Sequence, residues 1–135
     1  MFSHVHIGIT DFDRAFTFHC GIMAELGYPL KFREPENGWA GWMPKDGGRP
    51  LFLIGTPFDG RDAAPGNGTM VALLAPSREA VDRAHAFALA NGGRDEGPPG
   101  LRPRYHPNYY GAYFRDPDGN KICVCHHDPE PTIRP

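Results

Sequence analysis

Eight side chains carry the chemistry that this sequence can offer: His4, His6, Trp42, Met70, Tyr109, Tyr113, Cys123 and Cys125. His4 and His6 lie two residues apart in the alternating run His4-Val-His-Ile-Gly-Ile, so as strand residues they point to one side. Cys123 and Cys125 share a side of their own segment in the same way. An imidazole titrates near neutrality, which makes His4 a candidate general acid or base. Two thiolates with an imidazole form a soft set that suits Zn²⁺. The competing reading makes Cys123 and Cys125 small apolar fillers and leaves His4 hydrogen-bonded in a cavity. The sequence is therefore read with no metal or cofactor, a divalent metal being the alternative. Tyr109 and Tyr113 share parity opposite Phe114, and Trp39 and Trp42 fall on opposite sides of one short strand. With His6, Trp42, Met70, Cys123 and Cys125, the two tyrosines make a candidate ligand-binding wall with polar tips.

Two elements position these groups at the end of the chain. Tyr109-Tyr-Gly-Ala-Tyr-Phe-Arg115 and Lys121-Ile-Cys-Val-Cys125 read as strands joined by Asp116-Pro-Asp-Gly-Asn120. Pro117 presets the φ of a turn's first corner and Gly119 supplies a positive φ, so a tight hairpin is expected. Near the start, His4–Asp11 reads as a strand followed by a helix with Asp11 as its N-cap, apolar residues at helical spacing and a stop at Gly27. Met70–Ser77 repeats the plan, with Ser77 as cap and a stop at Gly92-Gly93. Both caps and both stops are 66 residues apart, since 77 − 11 and 93 − 27 agree. Strand-like pieces at 28–33, 39–43 and 51–54 follow the first helix; pieces near 94–96, 109–115 and 121–126 follow the second.

The expected fold is α+β: two βαβββ modules forming a curved mixed sheet around a shared cavity. Module 1 spans about 1–56, a linker about 57–68, module 2 about 69–127 and a tail 128–135, all in one domain. A four-stranded sheet covered by one helix leaves a bare face that must find a partner or enclose something, so a small-molecule ligand and a homodimer are expected. The linker is long enough for modules to pair within a chain or across a dimer.

Composition excludes other classes. Hydrophobic residues at 40 % and aromatics at 12 % mark a globular chain, and no apolar run approaches the roughly 18 residues of a membrane span. A net charge of −2 without a basic cluster gives no footprint for nucleic acid. Strand-like sequence begins almost at Met1 with no secretory pattern, so a cytoplasmic protein with its three cysteines reduced is expected. His19 and His85 read as helix residues of the core or its edge, His106 as a loop residue able to close over a ligand, and His126 and His127 as exposed. Arg49, Arg102, Arg104 and Arg115 are candidate partners for a carboxylate.

His4-x-x-Ile-x-Ile-x-Asp11, Ala75-Pro-Ser-Arg-Glu-Ala-Val-Asp-Arg-Ala-His85 and Tyr109–Cys125, in that order, resemble the vicinal oxygen chelate superfamily of glyoxalase I, bleomycin-resistance proteins and extradiol dioxygenases. The resemblance covers residues 2–127. It implies paired βαβββ modules, a dimer, and a cavity that in many members holds a divalent metal on the first and fourth strands of each module. Of those positions only His4 carries the family's residue type. Met70, Leu51-Phe-Leu53 and Cys123 occupy the others. The resemblance therefore implies a lyase or isomerase with a degenerate metal site, in which His4 moves protons. The alternatives are a metal-independent sequestering protein of the bleomycin-resistance type and an atypical metalloenzyme of the lactoylglutathione lyase or dioxygenase type.

Overall fold

The computed structural model describes residues 1–131; the last four residues of the expected tail lie outside them. Asp11 caps α1 (Phe12–Leu26) by accepting from the Arg14 N–H, and Ser77 caps α2 (Arg78–Ala90) by accepting from the Ala80 N–H. Gly27 closes α1 at φ 84°, a left-handed conformation that a Cβ would strain. α2 ends one step earlier, at Asn91, and Gly92 then takes φ 92°.

Around α1 lie β1 (His4–Gly8), β2 (Leu30–Glu34), β3 (Trp39–Trp42) and β4 (Leu51–Gly55), with a single 3-10 turn at Pro35–Asn37. Around α2 lie β5 (Val71–Leu74), β6 (Arg94–Leu101), β7 (Tyr110–Arg115) and β8 (Lys121–His126). The sheets have the same order, β1-β4-β3-β2 and β5-β8-β7-β6, each with its first pair parallel and the rest antiparallel. Two βαβββ modules are thus present as two four-stranded mixed sheets, not hydrogen-bonded to each other and not closed into a barrel. The second module's first strand begins at Val71, so Met70 precedes it. The local reason is its neighbourhood: the turn at Gly66–Thr69 delays pairing with β8 until Val71 meets Ile122.

One apolar core serves both modules. Phe18 and Ile22 of α1 meet Ile7, Phe52 and Ile54 of the first sheet, Phe114, Ile122 and Val124 of the second, and Val81, Ala84 and Ala88 of α2. The alanine stripe of α2 and Gly21 of α1 let the helices approach closely: a Cβ on Gly21 would fall 1.9 Å from the Phe87 ring.

The β7–β8 turn fastens the modules together. His19 Nε2 lies 2.8 Å from Asp116 Oδ2, and both side chains are buried. Asp116 Oδ1 accepts from the backbone N–H groups of Asp118 and Asn120, while Asn120 Nδ2 donates to Asp116 and to the Gly8 carbonyl at 2.8 Å. Asp118 accepts from the Thr10 N–H and faces Arg14 at 3.4 Å. Burial pushes the Asp116 carboxyl upward, yet the bonds from His19 and Asn120 outweigh it and hold it below the ordinary carboxylate value. Among the described residues, the side-chain bonds between modules run through the helices and their ends, the end of β1 and this turn, and none joins one open sheet face to the other.

Candidate functional site on the open face of the second module

Alternation along β8 sends Ile122 and Val124 into the core and leaves Cys123 and Cys125 on the opposite face. Register then selects their neighbours. Tyr113 stands beside Cys123 and Gly111 beside Cys125 on β7, while β5 sets Ala72 and Leu74 on the other flank. Gly111 is required here: a Cβ would lie 2.8 Å from the Tyr109 ring, which folds back across the sheet from just before β7. The Tyr109 hydroxyl comes within 3.0 Å of the Tyr113 hydroxyl and 3.3 Å of Cys123 Sγ. Three protic groups converge on a face whose strand neighbours are apolar.

Imidazoles and cations surround this centre. His127 Nε2 lies 3.6 Å from Cys125 Sγ, and its Nδ1 lies 2.8 Å from His106 Nε2. The Tyr109 ring meets Tyr105, His106 and His127 edge-on at 5.0, 5.7 and 5.2 Å. The Arg102 guanidinium and the Lys121 ammonium both stand over the Tyr113 ring, at 5.6 and 5.7 Å.

These contacts divide the protons unequally. Coupling to the neighbouring Cys125 thiol draws Cys123 below the ordinary thiol range against the opposing effect of burial; the tyrosine hydroxyls and Arg102 act in the same downward sense. The same coupling, with burial, drives Cys125 upward, so the two thiols titrate as a pair. Burial, and then the bond to Cys123, raises Tyr109; burial likewise raises Tyr113. The face therefore sets the more acidic of the two thiols beneath two phenols held protonated.

The first module's face carries different groups. His4 opens β1 in an exposed position, its Nδ1 2.9 Å from Ser3 Oγ. His6 lies over Gly55, where a Cβ would fall 2.6 Å from Nε2, and Trp39 pairs with Gly55 in register. With Glu34, Asn37 and Thr56 they line a recess of about 320 Å³. Burial, and then the nearby His4, lowers the His6 imidazole below its ordinary value.

The structure corrects one assignment of side and brings two other residues together elsewhere. Trp42 faces α1, not the open face: it is 2 % exposed and packs near Phe16 and Phe52. The reason is register, since Trp42 pairs with Phe52 and Ala40 with Ile54, both turned to the helix, so Trp39 takes the open side. Trp42 and Met70 instead meet in an apolar groove of about 630 Å³ between the modules, with Val5, Met23, Tyr28 and Leu73. Tyr109, Tyr113, Cys123 and Cys125 come together on one face, while His4 and His6 stand on the other sheet. His127 belongs with the cysteines, as its parity with them would have indicated. His106 and Arg102 arrive from the loop after β6, and no sequence spacing announced their positions.

Fold and site together define a paired-module protein that carries its distinctive side chains on open sheet faces. The chain belongs to the Glyoxalase/Bleomycin resistance protein/Dioxygenase superfamily, whose sequence pattern matches residues 1–124. A glyoxalase/bleomycin resistance protein from Albidiferax ferrireducens T118 is 37 % identical, superposes with a TM-score of 0.81, and covers 95 % of this chain and 99 % of its own. A glyoxalase-related enzyme from Fulvimarina pelagi (19 % identical, TM-score 0.69, 93 % and 87 % covered) shares the fold. So does a glyoxalase/bleomycin resistance protein/dioxygenase family enzyme from Burkholderia phytofirmans PsJN (16 %, 0.67, 93 % and 98 %). No curated protein matches.

The residues at the family's metal positions do not fit a hard divalent ion within this chain. His4 is beside Leu51 in register, Met70 lies ahead of its strand, and Cys123 is engaged by Tyr109. Among the described residues, no three His, Cys, Asp or Glu side chains converge on a common point for a metal.

Proposed function

We propose that this protein acts on a small carbonyl-bearing ligand held against the open face of the second module, as a lyase or isomerase that uses protein side chains where relatives use a metal. The observation that carries this reading is the Tyr109 hydroxyl within bonding distance of both Tyr113 and Cys123. Two phenols kept protonated by burial are donors suited to a carbonyl oxygen that gains negative charge, the role an oxyanion hole fills. Arg102 and Lys121 add positive charge at the rim, where they favour an anionic ligand or intermediate. His4, read from the sequence as the proton-transfer residue, stands on the other module. A homodimer that lays the first module of a second copy over this face would bring His4 and His6 to the ligand and cover both open faces. Reduced cysteines fit a cytoplasmic location, and no described helix is long and apolar enough to cross a membrane.

A second reading, sequestration without turnover, is favoured by the groove between the modules. Its walls are mainly apolar, Arg49 supplies one cation for an acidic ligand, and the Tyr28 hydroxyl there is already committed to the Leu74 carbonyl, so the groove offers more for binding than for proton transfer.

The test is a thermal-shift screen of small carbonyl and carboxylate compounds on chelator-treated protein, followed by NMR of each hit for conversion. A ligand that raises Tm by mass action, is converted in the presence of chelator, and loses both effects in Tyr109→Phe/Tyr113→Phe supports the first reading. Binding that survives that double variant, is lost in Trp42→Leu and shows no conversion replaces it with the second.

A further inference from the structure

We infer that the apolar groove between the modules is a site for an unbranched aliphatic carboxylate, a free medium-chain fatty acid whose head meets Arg49. This rests on the reading of that groove as a binding site and names the class of its ligand. The groove is lined in part by β1 and β5, each at one edge of its sheet. Its volume of about 630 Å³ falls inside the roughly 300–1,000 Å³ of small-molecule sites.

Shape and walls suit an alkyl chain. Every residue from Thr69 to Leu74 lines the groove, and at strand spacing that run covers roughly 16 Å. The site is therefore long for its volume, as an extended chain requires and a compact ring system does not. Met23, Met43 and Met70 line it, three of the chain's four methionines. Their unbranched thioethers adapt to a ligand that has many conformers. Met23, Trp42 and Phe52 make a buried floor, while Phe2, Met70 and Leu74 are left exposed at the rim. Apolar surface exposed beside a formed cavity marks a place where something binds.

The polar groups are few, and they select the head. Among the described residues, Arg49 is the one charged side chain that lines the groove, and it forms no ion pair. The Tyr28 hydroxyl is committed to the Leu74 carbonyl at 2.6 Å. That leaves the exposed Arg49 guanidinium to offer its fork of N–H donors to a carboxylate, with the Thr69 hydroxyl as a further polar group. A single cation beside otherwise apolar walls matches an acid with one charged end and a long apolar tail. A dicarboxylate or a sugar phosphate would leave charge and hydroxyls unmatched against those walls.

The experiment titrates native protein with octanoate, decanoate and decanol by calorimetry at neutral pH and fixed salt. One decanoate should bind per chain. Each buried methylene tightens binding about fourfold, so decanoate should bind about fifteenfold more tightly than octanoate. Arg49→Gln should weaken decanoate about two- to fivefold, the worth of an exposed ion pair, and leave decanol unchanged. Met70→Glu, at an exposed position outside the core, should lose decanoate, and Met70→Lys should keep it. Equal affinity for octanoate and decanoate, or binding indifferent to both Met70 variants, overturns the inference. So does an equal weakening of decanol and decanoate by Arg49→Gln. If a second copy covers the groove instead, decanoate does not bind and Met70→Glu turns a sedimenting dimer into a monomer, which also overturns it. Failure of decanoate while a hit of the wider screen still depends on Trp42 removes only the ligand class. If no compound shows that dependence, the groove is not a ligand site and both readings of it fall.

Discussion

The two modules share strand order, strand direction and helix caps, yet apart from an imidazole at each their open faces carry different chemistry. At equivalent places in the sheets, His6 beside Leu53 in the first module becomes Ala72 beside Cys123 in the second. The helix faces are alike in kind, because both must bury apolar side chains in one core. The open faces bury different groups, Leu51 and Leu53 on the first and Cys123 and Cys125 on the second, and differ in the polar side chains set around them. The first keeps imidazoles and an indole around a recess, while the second gathers phenols, thiols and two cations. Side chains are alike in kind where the modules share one core, and differ where they share only the sheet backbone.

The largest expected effect tests what joins the modules. Asp116→Ala removes the partner of buried His19 and three further acceptor contacts, and should cost about 3–5 kcal/mol in urea denaturation. The same carboxylate fixes a pH dependence. Its folded pKa lies below the unfolded value of about 3.9, so its contribution is complete above that value and is lost as pH falls through the folded pKa. Wild type should lose this part of its stability below about pH 4, and Asp116→Ala should lack that segment of the acid limb.

Close behind comes the contrast between the two tryptophans. Trp42→Ala should destabilise by about 3–5 kcal/mol because it empties the core side, whereas half-buried Trp39→Ala should cost clearly less and disturb the first module's recess instead. Equal costs would mean that the two sides of β3 are not distinguished by burial. A smaller effect belongs to the second face alone: Tyr109→Phe, which removes one of the groups that lower Cys123, should raise the Cys123 thiolate absorbance midpoint toward the ordinary thiol value of about 8.5. Smallest are the caps. Asp11→Ala and Ser77→Ala should each cost about 1 kcal/mol, and a matching pair of values is what structural equivalence of the modules requires.

Most of the fold was legible because its signals are local. Asp11, Ser77 and Gly27 act on the backbone within a few residues, and strand parity alone set Tyr113, Cys123, Cys125 and His127 on one side. The sidedness of Trp42 was not legible: parity says that two tryptophans oppose each other, and only the register of β3 against β4 says which meets the helix. Met70 misled for a related reason, since an apolar residue before a strand looks the same as one within it. The His19–Asp116 pair spans 97 residues and has no sequence signature. Arg102 and His106 reach the thiol face from an irregular Pro-rich loop whose path no periodicity describes.

The Asp116–Asn120 turn has a consequence for how the protein can be divided. Its side chains satisfy the Thr10 N–H and the Gly8 carbonyl, more than a hundred residues away, and its buried carboxylate holds His19 of the first helix. A chain cut within the linker would therefore give two fragments that each carry half of a polar lock and half of an apolar core. Such halves should fold by finding each other, so a split version is suited to fragment complementation.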